Sequence, residues 1–389
     1  MRSRMSHTIS SREVHGWALQ WLVQAKLLKD HGWLCTAVVV WNLVLRAAAR
    51  SISIPAACRD LSGSPSDQAI MNALTDGLPK TLPVLERRLN EALTWALPRR
   101  LRRRRWELAI DFHLSPYYGQ PQRSRNELYY GKPRQGTKKF HAYASACIVS
   151  HGNRYTLALT WVRRHESNTV VLRRLLAKIR EIGLKIKRVF LDRAFFNVPV
   201  VEFLQQENLP FLMPVMFRGR KSKKRGAAKG LHAIKRRPAG WYQHTMKNRD
   251  KQVTVDVCVG YRRHRNRKDG KQVKQKLLFA AWRVNGTPTE IRDRYRRRFG
   301  IETSYRQMRQ ARIYTCTQNP HLRLLFVALA LMLRNLWVWI HNTRLAEGNR
   351  DYPTLHLEIL RFKRMLDWIV YEIVAVLHDG STPCAVLTE

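Results

Sequence analysis

The chain has 389 residues, more than one compact core usually holds, and its 45% hydrophobic content excludes a disordered basic tail. Lys and Arg number 71 against 28 Asp and Glu, a formal charge of +43 that repels itself unless a polyanion sits beside it. Double-stranded DNA, with a phosphate every ~1.7 Å of axis, is the matching partner; RNA, an acidic membrane surface or a plain ribosome-like role would use the same charge.

Residues 1–105 read as a helical N-terminal domain that binds DNA. Leu34 to Ala49 is one apolar helix, a short one follows Pro55, and Ser64-Pro65-Ser66-Asp67 starts another that runs to Leu74. Joined by Ser62-Gly63-Ser64, the last two form either a helix-turn-helix reader or part of an ordinary bundle; composition leaves both open. Arg99–Arg105 closes this part as a charge run, expected to be a solvated linker able to meet phosphates. The N-terminus has no signal-peptide pattern, and the scattered cysteines (Cys35, Cys58, Cys147, Cys258, Cys316, Cys384) include no CxxC pair. A cytoplasmic, nucleoid-associated protein is expected. The apolar runs Thr36–Leu45 and Leu324–Leu333 are too short to span a bilayer, so no membrane is expected and both read as buried helices.

Residues 106–345 read as the catalytic domain. Trp106–Asp111 is an apolar strand ending on an acid. Phe140–Val149 and Tyr155–Val162 are two further strands, Thr169–Ile182 is a helix, and Val189–Leu191 is a short strand ending at Asp192. Helix Val198–Gln206 and strand Phe211–Val215 complete a mixed sheet flanked by helices. A β-rich insertion follows over about 216–286: a basic loop at Arg218–Arg237, a strand in which Val253, Val255, Val257 and Val259 recur with period two, a turn at Arg262–Lys271, and strand Leu277–Trp282. Thr287-Pro288-Thr289-Glu290 is a capping box that opens a helix through Glu302, bent at Gly300. Leu322–Ile340 is apolar and helical, and 346–389 is a C-terminal helical region.

Acids are scarce, so their placement is informative. Asp111 and Asp192 each close an apolar strand, and sheets gather ligand sites at strand ends. Two carboxylates that close favour a divalent cation between them. Glu302 is the candidate for a third ligand, because Tyr295, Arg298, Glu302, Arg306 and Arg309 fall on one face of a helix. Taken singly, each acid has a plainer reading: a turn or cap for the Asp residues, an ion pair with Arg298 or Arg306 for Glu302. His113 could assist the metal or be structural, and Tyr117-Tyr118-Gly119 and its echo Tyr129-Tyr130-Gly131 could be stacking contacts or glycine turns.

The order strand-Asp, strand-Asp, β insertion, helix-Glu resembles the DDE transposases, which have an RNase H-like core. Tyr295, Arg298, Glu302 and Arg309 match the spacing of the Tyr-Arg-Glu-Lys signature of transposases like those of insertion sequence 4, with Arg in place of the final Lys. Leu191-Asp192-Arg193-Ala194-Phe195 is similar to the second-Asp motif, and Asp111–Gly119 to the first-Asp motif of a related branch. The resemblance covers residues 106–340. It implies two Mg²⁺ ions, replaceable by Mn²⁺, held by Asp111, Asp192 and Glu302. It also implies a homodimer on two transposon ends, strand cleavage and transfer into target DNA through a hairpin, and end phosphates gripped by Tyr295, Arg298 and Arg309. Arg306 joins that grip, and Trp282, with Trp241 behind it, is the candidate to steady a flipped base. The competing expectations are an RNase H-like nuclease, a domesticated DNA-binding protein, and a basic RNA-binding structural protein.

Overall fold

The computed structural model describes residues 8–150, 152–218, 229–265, 270, 272–346 and 357–377. Its sheet is built around β1 (Arg105–Pro116), in which Leu108, Ala109 and Ile110 are buried. On one side β1 pairs antiparallel with β3 (Thr137–Ile148); on the other it pairs parallel with β5 (Lys185–Leu191). The far edge of β3 is shared: β2 (Tyr129–Arg134) takes its first residues and β4 (Thr156–Val162) its later ones. β6 (Phe211–Pro214) runs parallel to β5. Helix α7 (Val198–Gln206) makes the crossover that such a parallel pair needs, and α6 (Asn168–Glu181) leads from β4 to β5. The first strand is longer than expected. It does not end at Asp111 but continues five residues to Pro116, because β3 pairs with it along that stretch.

The insertion adds β7 (Gly240–Asn248), β8 (Lys251–Arg265) and β9 (Gln272–Trp282) as an antiparallel meander. The valines at 253, 255, 257 and 259 are buried, as the period of two requires. The meander does not stand apart: β9 pairs with β6, so the order is β2-β3-β1-β5-β6-β9-β8-β7. Both long strands run into the expected turn, to Arg265 and from Gln272; residues 266–269 and Lys271 lie outside the described residues. Of the expected basic loop, 219–228 lie outside them too, and the remainder contains the short helix α8 (Gly230–Ile234).

The head holds α1 (Ser11–Gln24), α2 (Ala37–Arg50), α3 (Ile54–Arg59), α4 (Asp67–Gly77) and α5 (Leu82–Thr94). After the insertion come α9 (Pro288–Arg296), α10 (Phe299–Met308), α11 (Pro320–Thr343) and α12 (Phe362–Leu377). Packing ties the ends of the chain to the sheet. β4 is buried along its whole length, and two asparagines grip its backbone. Asn90 of α5 exchanges two 2.8 Å bonds with Leu159, while Asn335 of α11 does the same with Thr156 and also donates to Leu93 O at 2.9 Å. α12 lies against α1 and α2, so head and C-terminal helix share one apolar cluster with the core. The 105/106 boundary therefore marks a change of secondary structure within continuous packing.

Arg99–Arg105 is solvated but ordered. Arg99–Arg103 forms a short 3₁₀ turn with Leu101 buried, Arg100 bonded to Asn342 at 2.5 Å and Arg102 to Ile182 O at 3.1 Å, while Arg99, Arg102, Arg103 and Arg105 are exposed. α11 is long and apolar enough to cross a bilayer, yet 89% of its apolar window is buried inside this fold.

Candidate active site

Parallel pairing of β1 with β5 places Ile110 opposite Leu191, so Asp111 and Asp192 stand abreast. β5 ends there, and Asp192 opens a 3₁₀ turn at Arg193–Phe195. The Phe195 ring stacks on Phe112, centroids 5.1 Å apart, which fastens the turn to β1. Asp111 accepts a bond from the Phe112 amide at 2.9 Å. Burial, opposed by Arg298 and reinforced by the charge of Asp192, pushes the Asp111 pKa up to about 6.

Glu302 comes to this place on a helix that is broken outright next to Gly300, where a bend was expected. α9 ends at Arg296 and α10 begins at Phe299; the amides of Arg297, Arg298, Gly300 and Ile301 all bond three residues back. The break lies just before Gly300, where Arg154 packs so closely that a Cβ would stand 3.2 Å from its Nε. This tight turn swings Arg298 inward. Its Nη1 donates to Asp111 Oδ2 at 2.9 Å and its Nη2 to Glu302 Oε1 at 2.5 Å. The Arg298 side chain is 6% exposed, against 46% for Glu302. Burial pulls the Arg298 pKa down, but Tyr295, Asp111, Glu302 and Asp192 together offset it and hold it above its ordinary value.

Sequence reasoning put Tyr295, Arg298, Glu302, Arg306 and Arg309 on one helical face gripping phosphate. The break divides them. Tyr295 is buried, its hydroxyl donating to Leu191 O at 3.1 Å, so it fixes the residue before Asp192. Arg298 is buried between acids, while Glu302, Arg306 and Arg309 are exposed, Arg309 in a 3₁₀ turn past α10. Trp282 is far from the acids. It pairs with Phe211, level with Val189, three residues or ~10 Å back along the sheet from Asp192, and Arg283 lies over its ring at 4.5 Å. Trp241 is half-buried and donates to Gly286 O at 2.8 Å. His113 packs on Tyr305, ring centroids 5.2 Å apart; burial, with Arg309 and Arg312 adding to it, lowers its pKa to about 4 and keeps it neutral. Of the two Tyr-Tyr-Gly repeats, Tyr117 is buried, Tyr118 is exposed, and Arg164 lies over Tyr130 at 4.5 Å. One residue was missed: Tyr305, three positions beyond Glu302, which donates to Asp111 O at 3.0 Å and meets Ser145 Oγ at 2.8 Å. Its spacing from Glu302 on the helix was the available signal.

Among the described residues, no group of three His, Cys, Asp or Glu side chains is arranged to hold a metal ion. The guanidinium of Arg298 explains this, since it stands between Asp111 and Glu302 as their cation. The donor chemistry of Asp111 and Asp192 does fit a hard divalent ion: two carboxylates abreast, one with its pKa raised partly by the other.

A family model described as a transposase DDE domain matches residues 102–336. No curated protein matches the sequence. Among solved structures, a piggyBac transposase synaptic complex with hairpin DNA is similar at a TM-score of 0.53 and 13% identity, covering 99% of this chain and 89% of that one. The mixed sheet with its N-terminal helices is the RNase H-like fold of that structure.

Proposed function

The chain belongs to the transposase DDE domain family, and from that premise we propose that it cleaves DNA strands at the ends of a mobile element and transfers them into target DNA. One observation carries the reading: Asp111 and Asp192 stand abreast on parallel strands, with Glu302 tethered to Asp111 through Arg298. Asp111 and Asp192 would hold Mg²⁺, or Mn²⁺ in its place, and Glu302 would join them once Arg298 lets go. Bound there, two ions would activate the attacking oxygen and stabilise the leaving one.

The chain's own residues supply the frame. Tyr295 holds the end of β5, and Tyr305 holds the backbone of Asp111. Arg298, once freed from Asp111, would face a DNA phosphate. Arg306 and Arg309, exposed beside it, would hold flanking phosphates. The charge of +43 brings duplex DNA to this edge, in the nucleoid. The similar piggyBac structure is a synaptic complex with hairpin DNA. A synaptic assembly and a hairpin route here would match it, and a homodimer on two ends is the assembly we propose.

The test uses purified chain, Mg²⁺ or Mn²⁺, and duplexes carrying the inverted repeats that flank its gene. Wild type is expected to nick and join them; Asp192→Asn should bind them equally and cut neither strand. Equal cutting by the variant sinks the site assignment. Cutting without joining would favour the nuclease reading.

A further inference from the structure

A cavity of about 190 Å³ opens beside the carboxylates, and none of its lining residues is acidic. Its walls carry three guanidiniums: Arg309 and Arg312, exposed at its rim, and Arg323 of α11, which is 9% exposed. Phe326 and Val327, from the next turn of α11, add an apolar floor.

Arg323 is the unusual member. Its Nε donates to Thr317 O at 2.6 Å, and its guanidinium lies over the Tyr117 ring at 4.6 Å. Among the described residues, the groups that bear on its charge are Tyr143, Tyr117, Arg312 and Cys316, with no carboxylate among them. Burial pushes its pKa down, and the like charge of Arg312 pushes the same way. A buried cation without a counter-ion is costly, and an anion at its free face would offset that cost.

The place of the cavity identifies the anion. His113 lies two residues beyond Asp111 on β1, ~7 Å along the strand. A DNA strand presents a phosphate every ~3.4 Å of axis. An anion in the cavity would therefore be one or two nucleotides from a phosphodiester at Asp111. Besides its guanidiniums the cavity presents the apolar side chains of Phe326, Val327 and Ala330.

We propose that this cavity is a nucleotide subsite: Arg312 and Arg323 take the backbone phosphate flanking the scissile bond, and its deoxyribose rests on the Phe326–Val327 floor. The proposal rests on the DNA-cleaving reading for its register. The contact itself is tested without cleavage.

Binding of the full chain to a short random-sequence duplex would be measured in EDTA across a salt series, for wild type, Arg312→Gln and Arg323→Gln. Each phosphate contact contributes about 0.9 to the slope of log K against log salt. Each variant is expected to lower that slope by about one, with weaker binding at every sequence. Arg312 is exposed, so its variant should fold normally even if Arg323→Gln does not. An unchanged slope for Arg312→Gln overturns the proposal. The other source of the same chemistry is a free nucleotide. If deoxyadenosine 5′-monophosphate raises the melting temperature of wild type but not of Arg312→Gln, while the DNA slope is unchanged, the cavity serves free nucleotides and the strand subsite is lost. A lowered slope in a chain that never cuts its repeats would sink only the cleavage reading.

Discussion

Two buried arginines along β1, one bonded to Asp111 and the other over Tyr117 just past the strand's end, show opposite electrostatics. Arg298 is 5% exposed and Arg323 is 9% exposed. Burial depresses both. Around Arg298, Tyr295 together with Asp111, Glu302 and Asp192 reverses the effect and holds the pKa above its ordinary value; around Arg323 its neighbours do not, and the pKa stays depressed. One guanidinium is neutralised by the chain itself. The other is held by carbonyl dipoles and an aromatic face alone. The first state is closed to DNA until something takes its place, and the second is open to an anion from the start.

Arg298→Met should give the largest effect on stability. It leaves Asp111 buried beside Asp192 without a cation, and breaking such a pair costs about 3–5 kcal/mol. The loss should be seen in the denaturant midpoint at pH 8 and shrink at pH 5, where Asp111 binds a proton. Mg²⁺ should restore more stability to the variant than it adds to wild type. Equal Mg²⁺ effects on the two proteins would show that the ion does not take the place of the guanidinium.

The pH dependence of Asp111 comes next. Its folded pKa of about 6 stands above the ordinary 3.8, so the folded state holds the proton more tightly. Stability of the metal-free chain is therefore fully present below the lower value and falls as pH rises through about 6. The whole step is about 3 kcal/mol. Glu86, also raised by burial, slopes the same way, so the comparison is between wild type and Asp111→Asn. The variant should lose most of the step between pH 4 and pH 7. Parallel curves would place the titration elsewhere.

Arg323→Met inverts the first experiment. Removing a buried cation with no counter-ion relieves desolvation while losing a bond to Thr317, so the net change in the metal- and DNA-free chain should stay within about 1 kcal/mol. A loss as large as that of Arg298→Met would mean the two sites are alike.

Much of the site was legible because strand alternation and motif order are local. Asp111 and Asp192 were placed on neighbouring strands by their apolar neighbours, and register did bring them abreast. The bend at Gly300 was legible from the glycine, but the stripe from Tyr295 to Arg309 was drawn as one face across it. The i→i−3 tightening at Arg297–Ile301, with Arg298 bonded to Asp111 and Arg154 packed on Gly300, depends on tertiary contacts that local spacing does not carry. The level of Trp282 was hidden for a related reason. A strand tryptophan was chosen by type, while its level on the sheet depends on which strand of the insertion pairs with β6. Arg323 stood out only as a charge at the edge of an apolar run, and the absence of a carboxylate beside it among the described residues is a property of packing.

Glu302 tests the boundary between the two electrostatic states. Its side chain is 46% exposed, so its bond to Arg298, though short, is screened by solvent. Glu302→Gln should change stability by no more than about 0.5 kcal/mol. If Glu302 is held by Arg298 only until metal and DNA arrive, the same variant should bind duplex DNA normally and fail in Mg²⁺-dependent cutting. A large stability loss would make Glu302 a structural partner of Arg298. Full cutting with little loss would remove it from the site and leave Asp111 and Asp192 as the pair on which the chemistry rests.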